Sequence, residues 1–213
     1  MKTDDLAVML ATGAGREQAN APRRRLVYAV GWGGLGATIL MLALLGLNPE
    51  LQDVVQLVEF WGKIGFVAAV AGASLWAVAR LSQPGARLSA APVALVIPIL
   101  AMFAWAAIVL VNADSAARGR LFFGDTWAVC PFLIAVLAAP VFVAVLWALK
   151  GLAPTRLRLA GAAAGLLSGA FGALAYAFHC PEIEPPFIAF WYSLGMLIPV
   201  LAGTLAGRRL LRW

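Results

Sequence analysis

Long uninterrupted runs of apolar residues alternate with short polar segments along this chain. A helix that crosses the hydrocarbon core of a bilayer needs about 20 mostly apolar residues. Runs such as Ile39–Leu47 and Val93–Leu100 lack the strict alternation that strands of a membrane barrel require. We therefore predict an all-α fold, a polytopic membrane protein built as a bundle of six transmembrane helices. The predicted spans cover residues 26–47, 57–79, 92–111, 127–149, 159–178 and 187–206.

The composition supports a membrane protein and excludes several other classes. The 213 residues are 63% hydrophobic and 12% charged, and their mean hydropathy is +0.90. A soluble domain is about 45–50% apolar and about 25% charged, so this chain has too little polar surface for a water-soluble globule. Two cysteines are too few for a secreted disulfide scaffold. The first apolar run is longer than the apolar core of a cleavable signal peptide, so we expect it to stay in the mature protein.

The positions of lysine and arginine predict the orientation, because cytoplasmic segments carry the excess of these residues. Thirteen of the 16 lie in the amino-terminal segment, the second and fourth loops and the carboxyl-terminal tail, against two in the third loop. Both termini are therefore predicted to be cytoplasmic, in a bacterial inner membrane. The net charge of +6 is explained by topology and by contact with anionic lipids, so no nucleic-acid binding is expected. The chain divides into a cytoplasmic segment (1–25), the membrane domain (26–206) and a basic tail (207–213).

Glycines at a spacing of four predict close helix packing. Gly161, Gly165 and Gly169 form one smooth stripe on the fifth span, and Gly203 and Gly207 repeat the spacing on the sixth. Small residues at this spacing let two helix backbones approach closely.

Ionisable residues are scarce inside the spans, where transport of ions or protons usually requires them. Glu59 and Lys63 both lie near the outer end of the second span and are four residues apart. One interpretation is a self-neutralising interfacial pair, and the other is that Lys63 contacts the outer loops and helps to set their conformation. Motifs for nucleotide hydrolysis, zinc proteases and serine hydrolases do not occur, and there is one histidine. We therefore expect neither enzymatic activity nor a cofactor.

The predicted topology brings the two cysteines, Cys130 and Cys180, to the outer face at similar depth. Each precedes a proline, which favours a position where helix meets loop, so we expect both thiols to be accessible and Cys130 to be the more acidic. Three interpretations remain open. They are a permanent disulfide, a switchable pair that is oxidised or capped by a soft metal, and two unpaired small apolar residues. His179 and Glu182 flank Cys180 and would complete a metal site with the two thiols.

The amino-terminal segment contains a predicted amphipathic helix over residues 3–12. Thr3 can cap it, Asp4 and Asp5 lie in its first turn, and its apolar residues recur at helical spacing. A helix this short is not stable alone in water. It would lie on the inner leaflet or, as its acidic end favours, dock in a groove of a soluble partner. Residues 13–22 are expected to form a flexible tether.

Several ordered motifs resemble those of the NrsF-type anti-sigma factors, a family of six-span bacterial inner-membrane proteins. They are MKTDDL at the start, TWxxC at Thr126–Cys130, LAPTR at Leu152–Arg156, HCPE at His179–Glu182, FWYxLG at Phe190–Gly195 and GRRLLRW at the end. The resemblance implies a partner, an extracytoplasmic-function sigma factor held inactive on the cytoplasmic side. It assigns sigma contact to the amino terminus and sensing of stress or heavy metals to Cys130 and Cys180. The implied contact residues are Lys2, Thr3, Asp4, Asp5, Leu6, Met9 and Leu10.

The leading hypothesis is therefore a membrane-bound anti-sigma factor that releases its partner when an oxidant or a thiophilic metal reaches the cysteine pair. Such a switch requires a helix bundle with two arrangements. The alternatives are a small-solute or metal permease and a passive subunit of a larger membrane complex.

Overall fold

The computed structural model of this protein describes residues 4, 5, 8, 16–83, 85, 90–152 and 154–212. These residues form helices and connecting loops without a strand, and six of the helices are long and apolar enough to cross a membrane. The prediction of an all-α protein with six spans is confirmed. Each span end lies within four residues of its predicted position. The spans are Arg23–Leu44, Val58–Leu81, Ala91–Asn112, Cys130–Lys150, Leu157–Ala177 and Pro185–Leu210.

The helix that contains the first span begins at Arg16, well before the membrane-spanning part. The sequence predicts a flexible tether over residues 13–22, whereas the chain is helical from Arg16 onward. Glu17, Gln18 and two alanines in this stretch have favourable helix propensities, although Pro22 removes one backbone hydrogen bond from the helix. The polar segment therefore continues into the first span as one helix.

The fifth span lies at the centre of the bundle and is its most buried helix. Its most extensive contact is with the sixth span, and the predicted glycine stripe forms that contact. A Cβ atom added to any of the three glycines would collide with backbone rather than with a movable side chain. Gly161, Gly165 and Gly169 face backbone atoms of Gly203, Pro199 and Met196, respectively. The prediction of close packing through this stripe is confirmed.

The first three spans surround this centre. The first span packs on the fourth, where Gly33 lies against the backbone of Val141. The second span packs on the fifth and the third. The third span is the most exposed, because only 11% of its apolar 18-residue stretch is buried inside the protein. It contacts the second span and the start of the sixth. Its large apolar side chains are therefore left for lipid.

We name the two ends of the bundle after the orientation that the positive charges predict. The inner face carries both termini, and the outer face carries the first, third and fifth loops. The first and third loops contain short helices at Leu51–Val54 and Ser115–Phe123. The sixth span starts with a helical turn, continues as a π-helical turn over Ile188–Tyr192 and then becomes α-helical at Ser193. Such π-helical turns often occur at functional sites, and this one adjoins both cysteines.

Candidate functional site

The two cysteines lie where the topology predicts, at the outer face. Cys130 is the first residue of the fourth span, and its amide donates to the Thr126 carbonyl at 3.0 Å. Cys180 follows the end of the fifth span, and its amide donates to the Tyr176 carbonyl at 2.9 Å. Both are free thiols, close enough to interact electrostatically.

The prediction that these thiols are accessible is wrong. The exposed fraction is 0% for Cys130 and 1% for Cys180. The prolines do place both cysteines at helix ends, but both side chains belong to the buried core of the bundle. The expected acidity of Cys130 stays a prediction.

Hydroxyl groups surround the thiols. Thr126 Oγ1 is 3.9 Å from Cys180 Sγ. The phenol groups of Tyr176 and Tyr192 both lie beside Cys180, and their rings are 5.9 Å apart. The Tyr192 hydroxyl is buried and has no hydrogen-bond partner among the described residues. The cysteines therefore lie in a buried cluster of weakly polar groups.

Lys63 is the charged member of this cluster. Its side chain is fully buried (0% exposed), and its Nζ donates to the carbonyl of Cys180 at 3.1 Å and to that of Glu182 at 2.9 Å. The ammonium also lies 5.6 Å from the Phe60 ring centre and 5.8 Å from that of Tyr192. Of the two interpretations of Lys63, the contact with the outer loop is confirmed.

The interpretation of Glu59 and Lys63 as an interfacial ion pair is wrong. Among the residues that the structure describes, Lys63 has no carboxylate within ion-pair distance. The four-residue spacing on one helix brings the two side chains near each other. The Lys63 ammonium, however, is buried and already has two carbonyl acceptors in the fifth loop, and the half-exposed Glu59 carboxylate does not replace them. Glu59 instead lies near Glu184.

His179 and Glu182 do not join the thiols. His179 Nδ1 is 3.1 Å from the Gly46 carbonyl, at the end of the first span. Glu182 Oε1 accepts from the Asp125 amide at 2.7 Å, directly over Gly124. In the described part of the chain no three His, Cys, Asp or Glu side chains are grouped as metal ligands, so this conformation does not assemble the four-ligand set.

These contacts fasten the fifth loop to the other two outer loops. Gly124 has a φ of +54°, a left-handed conformation that favours glycine, and a Cβ atom there would lie 2.6 Å from the Glu182 carboxylate. The positive φ therefore favours glycine at this position, whereas the Glu182 carboxylate is the end of a flexible side chain and could shift.

An aromatic cluster that the sequence analysis did not predict fixes the third loop to the start of the sixth span. Trp191 Nε1 donates to the Phe122 carbonyl at 2.9 Å, and its ring lies 5.2 Å from that of Trp127. Phe123 and Phe190 complete the cluster. The aromatic residues of the FWYxLG and TWxxC motifs could have predicted this cluster, because aromatic rings tend to pack with their centres about 4.5–7 Å apart.

The predicted sigma-contacting residues lie mostly outside the described residues. Asp4 and Asp5 are helical and exposed, as is Val8. Lys2, Thr3, Leu6, Met9 and Leu10 fall outside the described residues, so their role in partner contact stays a prediction.

Comparisons with known proteins find relatives that match this chain over its full length. The chain is 55% identical to a protein from Azospira oryzae named "Probable anti-sigma-F factor NrsF", over the full length of both chains. It is 41% identical to the "Anti-sigma-F factor NrsF" of Caulobacter vibrioides, again over both full lengths. No solved structure matches. Residues 10–213 match the family described as "Negative regulator of sigma F", and the chain belongs to this NrsF family.

Proposed function

We propose that this chain is a membrane-bound anti-sigma factor that holds an extracytoplasmic-function sigma factor at the inner membrane and releases it when the outer cysteine pair reacts. The observation that carries the proposal is similarity over the whole chain, including the amino-terminal segment, to two proteins named as anti-sigma-F factors. A regulatory role without catalysis suits a bundle in which the reactive side chains of the described residues are mainly one buried pair of thiols.

The amino-terminal helix is the proposed docking element. Asp4 and Asp5 are exposed, and they precede the helix that runs unbroken from Arg16 through the first span. An amphipathic helix too short to be stable alone gains order when its apolar face enters a groove. Binding at this segment would keep the sigma factor at the bilayer and away from RNA polymerase.

The cysteine pair is the proposed sensor. An oxidant would accept two electrons while the two thiols lose their protons and join Sγ to Sγ. A thiophilic metal ion would instead displace both protons and bind two thiolates. Either reaction changes the spacing or the volume of groups inside a buried cluster, which would favour another arrangement of the bundle.

Co-purification tests the docking element. The tagged full-length protein is solubilised in mild detergent, and the bound fraction is analysed for sigma factors by mass spectrometry. We expect a sigma factor with the wild-type chain and none after deletion of residues 2–12. Retention of the sigma factor by the truncated chain would place docking elsewhere, and its absence from the wild-type sample would contradict the proposal.

Cysteine substitution tests the sensor. Cells that carry Cys130→Ser or Cys180→Ser should keep the sigma factor bound when they are treated with cadmium or a thiol oxidant, whereas wild-type cells should release it. Ser168→Ala is the matched control, because Ser168 is a buried hydroxyl that bonds only to the Ala164 carbonyl of its own helix. Release from the serine variants equal to wild type would contradict a sensing role.

A further inference from the structure

Lys63 is a buried cation whose two hydrogen-bond acceptors are backbone carbonyls. Its Nζ reaches the carbonyls of Cys180 and Glu182 across 117 and 119 residues of sequence. A buried charge must be compensated by hydrogen bonds or by an opposite charge. Here the fifth loop provides that compensation only while it is folded over the second span, so the position of the loop and the burial of Lys63 depend on each other.

We propose that Lys63 is a latch that holds the fifth loop closed over Cys130 and Cys180 and couples that loop to the second span. One of its two acceptors is the carbonyl of Cys180 itself. A change at Sγ of Cys180 that shifts the backbone of the same residue therefore also removes a partner of the ammonium. The latch releases when the cysteine pair reacts.

Closure also controls access to the thiols. Both sulfur-bearing side chains are essentially inaccessible in the closed arrangement. A reagent reaches them only in molecules whose fifth loop has opened, and opening breaks both bonds of Lys63. The reactivity of the cysteines is thus set by how often the latch opens.

The second span has room to respond at its inner end. A cavity of about 400 Å³ separates it from the first span there. The second span and the residue that follows it contribute Leu75, Trp76 and Ser82 to the lining of this cavity. The first span contributes Arg23 and Leu26. By contrast, the glycine stripe holds the fifth and sixth spans together backbone to backbone. Given the proposed function, on which this step rests, the second span is the element that carries the change toward the amino-terminal helix.

Alkylation kinetics of the full-length protein in detergent test the latch without any sigma factor. Purified Lys63→Met protein is treated with N-ethylmaleimide, and modification of the two cysteines is followed by mass spectrometry. We expect labelling at least tenfold faster than in wild type. Lys63→Arg, which keeps the charge and the donors, should label within about twofold of wild type.

Ser74→Ala is the matched control. Ser74 is a fully buried polar residue of the same span that bonds only to carbonyls of its own helix, those of Val70 and Ala71. Equally faster cysteine labelling in Ser74→Ala and Lys63→Met would show that the loss of any buried polar group in this span loosens the protein. That result would overturn the latch. Wild-type labelling in Lys63→Met would overturn it directly. If Lys63→Met is not monodisperse, Lys63→Gln, which is too short to reach both carbonyls, is measured against the same thresholds.

The sigma factor serves as a separate readout in cells without inducer. Fast labelling of Lys63→Met together with loss of the sigma factor supports both the latch and its coupling to release. Fast labelling with the sigma factor retained overturns the coupling through the second span. Failure of the wild-type chain to bind any sigma factor contradicts the proposed function, whereas the labelling result still decides the latch.

Discussion

Replacement of Gly161 by alanine tests the contact that holds the fifth and sixth spans together. A Cβ atom on Gly161 would lie 2.8 Å from the carbonyl carbon of Gly203 and 3.0 Å from Cα of Gly207, and it would collide with the Gly203 carbonyl oxygen. All these atoms belong to backbone, so no side-chain rotation relieves the collision. The two helices must separate along the stripe to admit one methyl group.

The magnitude follows from two opposing contributions. Overpacking a well-packed contact costs about 1–3 kcal/mol, whereas alanine is favoured over glycine inside a helix by about 0.8–1.0 kcal/mol. Gly65→Ala carries only the second contribution, because nothing lies within 4 Å of a Cβ atom at Gly65 in the second span. The difference in unfolding free energy between the two variants is therefore the packing cost, about 1–3 kcal/mol.

Thermal unfolding of the detergent-solubilised protein, followed by circular dichroism, measures this difference. For a domain of this size 1 kcal/mol corresponds to roughly 2–4 °C in Tm, so Gly161→Ala should melt roughly 2–12 °C below Gly65→Ala. Equal melting temperatures for the two variants would show that the backbones do not approach as the structure has them.

Two further predictions concern the two faces of the bundle. Burial and neighbouring carboxylates raise the pKa of Glu184 above its usual value, so the folded state favours its protonated form and stability falls as pH rises through that raised pKa. Glu184→Gln should therefore raise Tm at pH 7 and shrink its difference between pH 5 and pH 8; the same gain from Glu50→Gln at an exposed position would instead indicate a net-charge effect. At the inner face, Arg25 lies 4.7 Å over the Trp147 ring and donates to the Trp147 carbonyl at 3.3 Å. Arg25→Lys should lower stability by about 0.5–1 kcal/mol in thermal melts, and an equal loss in the exposed Arg24→Lys would refute a specific contact.

The spans and the glycine contact could be predicted because each rests on a local requirement. A bilayer sets the length of an apolar helix whatever its neighbours are. Small residues four apart, such as Gly161 and Gly165, make a groove on their own helix before any partner is known. The sequence also indicated which face each loop occupies, and this was sufficient to bring Cys130 and Cys180 together.

The burial of the cysteines and the partners of Lys63 depend on how a loop folds back, and no local pattern determines that. Four-residue spacing favours Glu59 as the partner of Lys63, yet the actual acceptors lie more than a hundred residues away. The prolines after the cysteines correctly predict helix ends. A helix end is accessible only if nothing covers it, and here the tertiary fold buries both cysteines.

A sensor with fully buried thiols differs in kind from one with exposed thiols. An exposed thiol reacts at a rate set by its own chemistry and by the concentration of the reagent. In the proposed latch, the thiols of Cys130 and Cys180 react only after the fifth loop opens, and opening must leave the Lys63 ammonium without its two carbonyl acceptors. The energetic cost of breaking both of these hydrogen bonds therefore favours the closed arrangement in the resting state. A metal ion bound between the two sulfurs would add volume to this buried cluster, whereas a disulfide would draw the sulfurs together. Either change would alter the packing around Cys180, whose carbonyl is one of the two acceptors of Lys63.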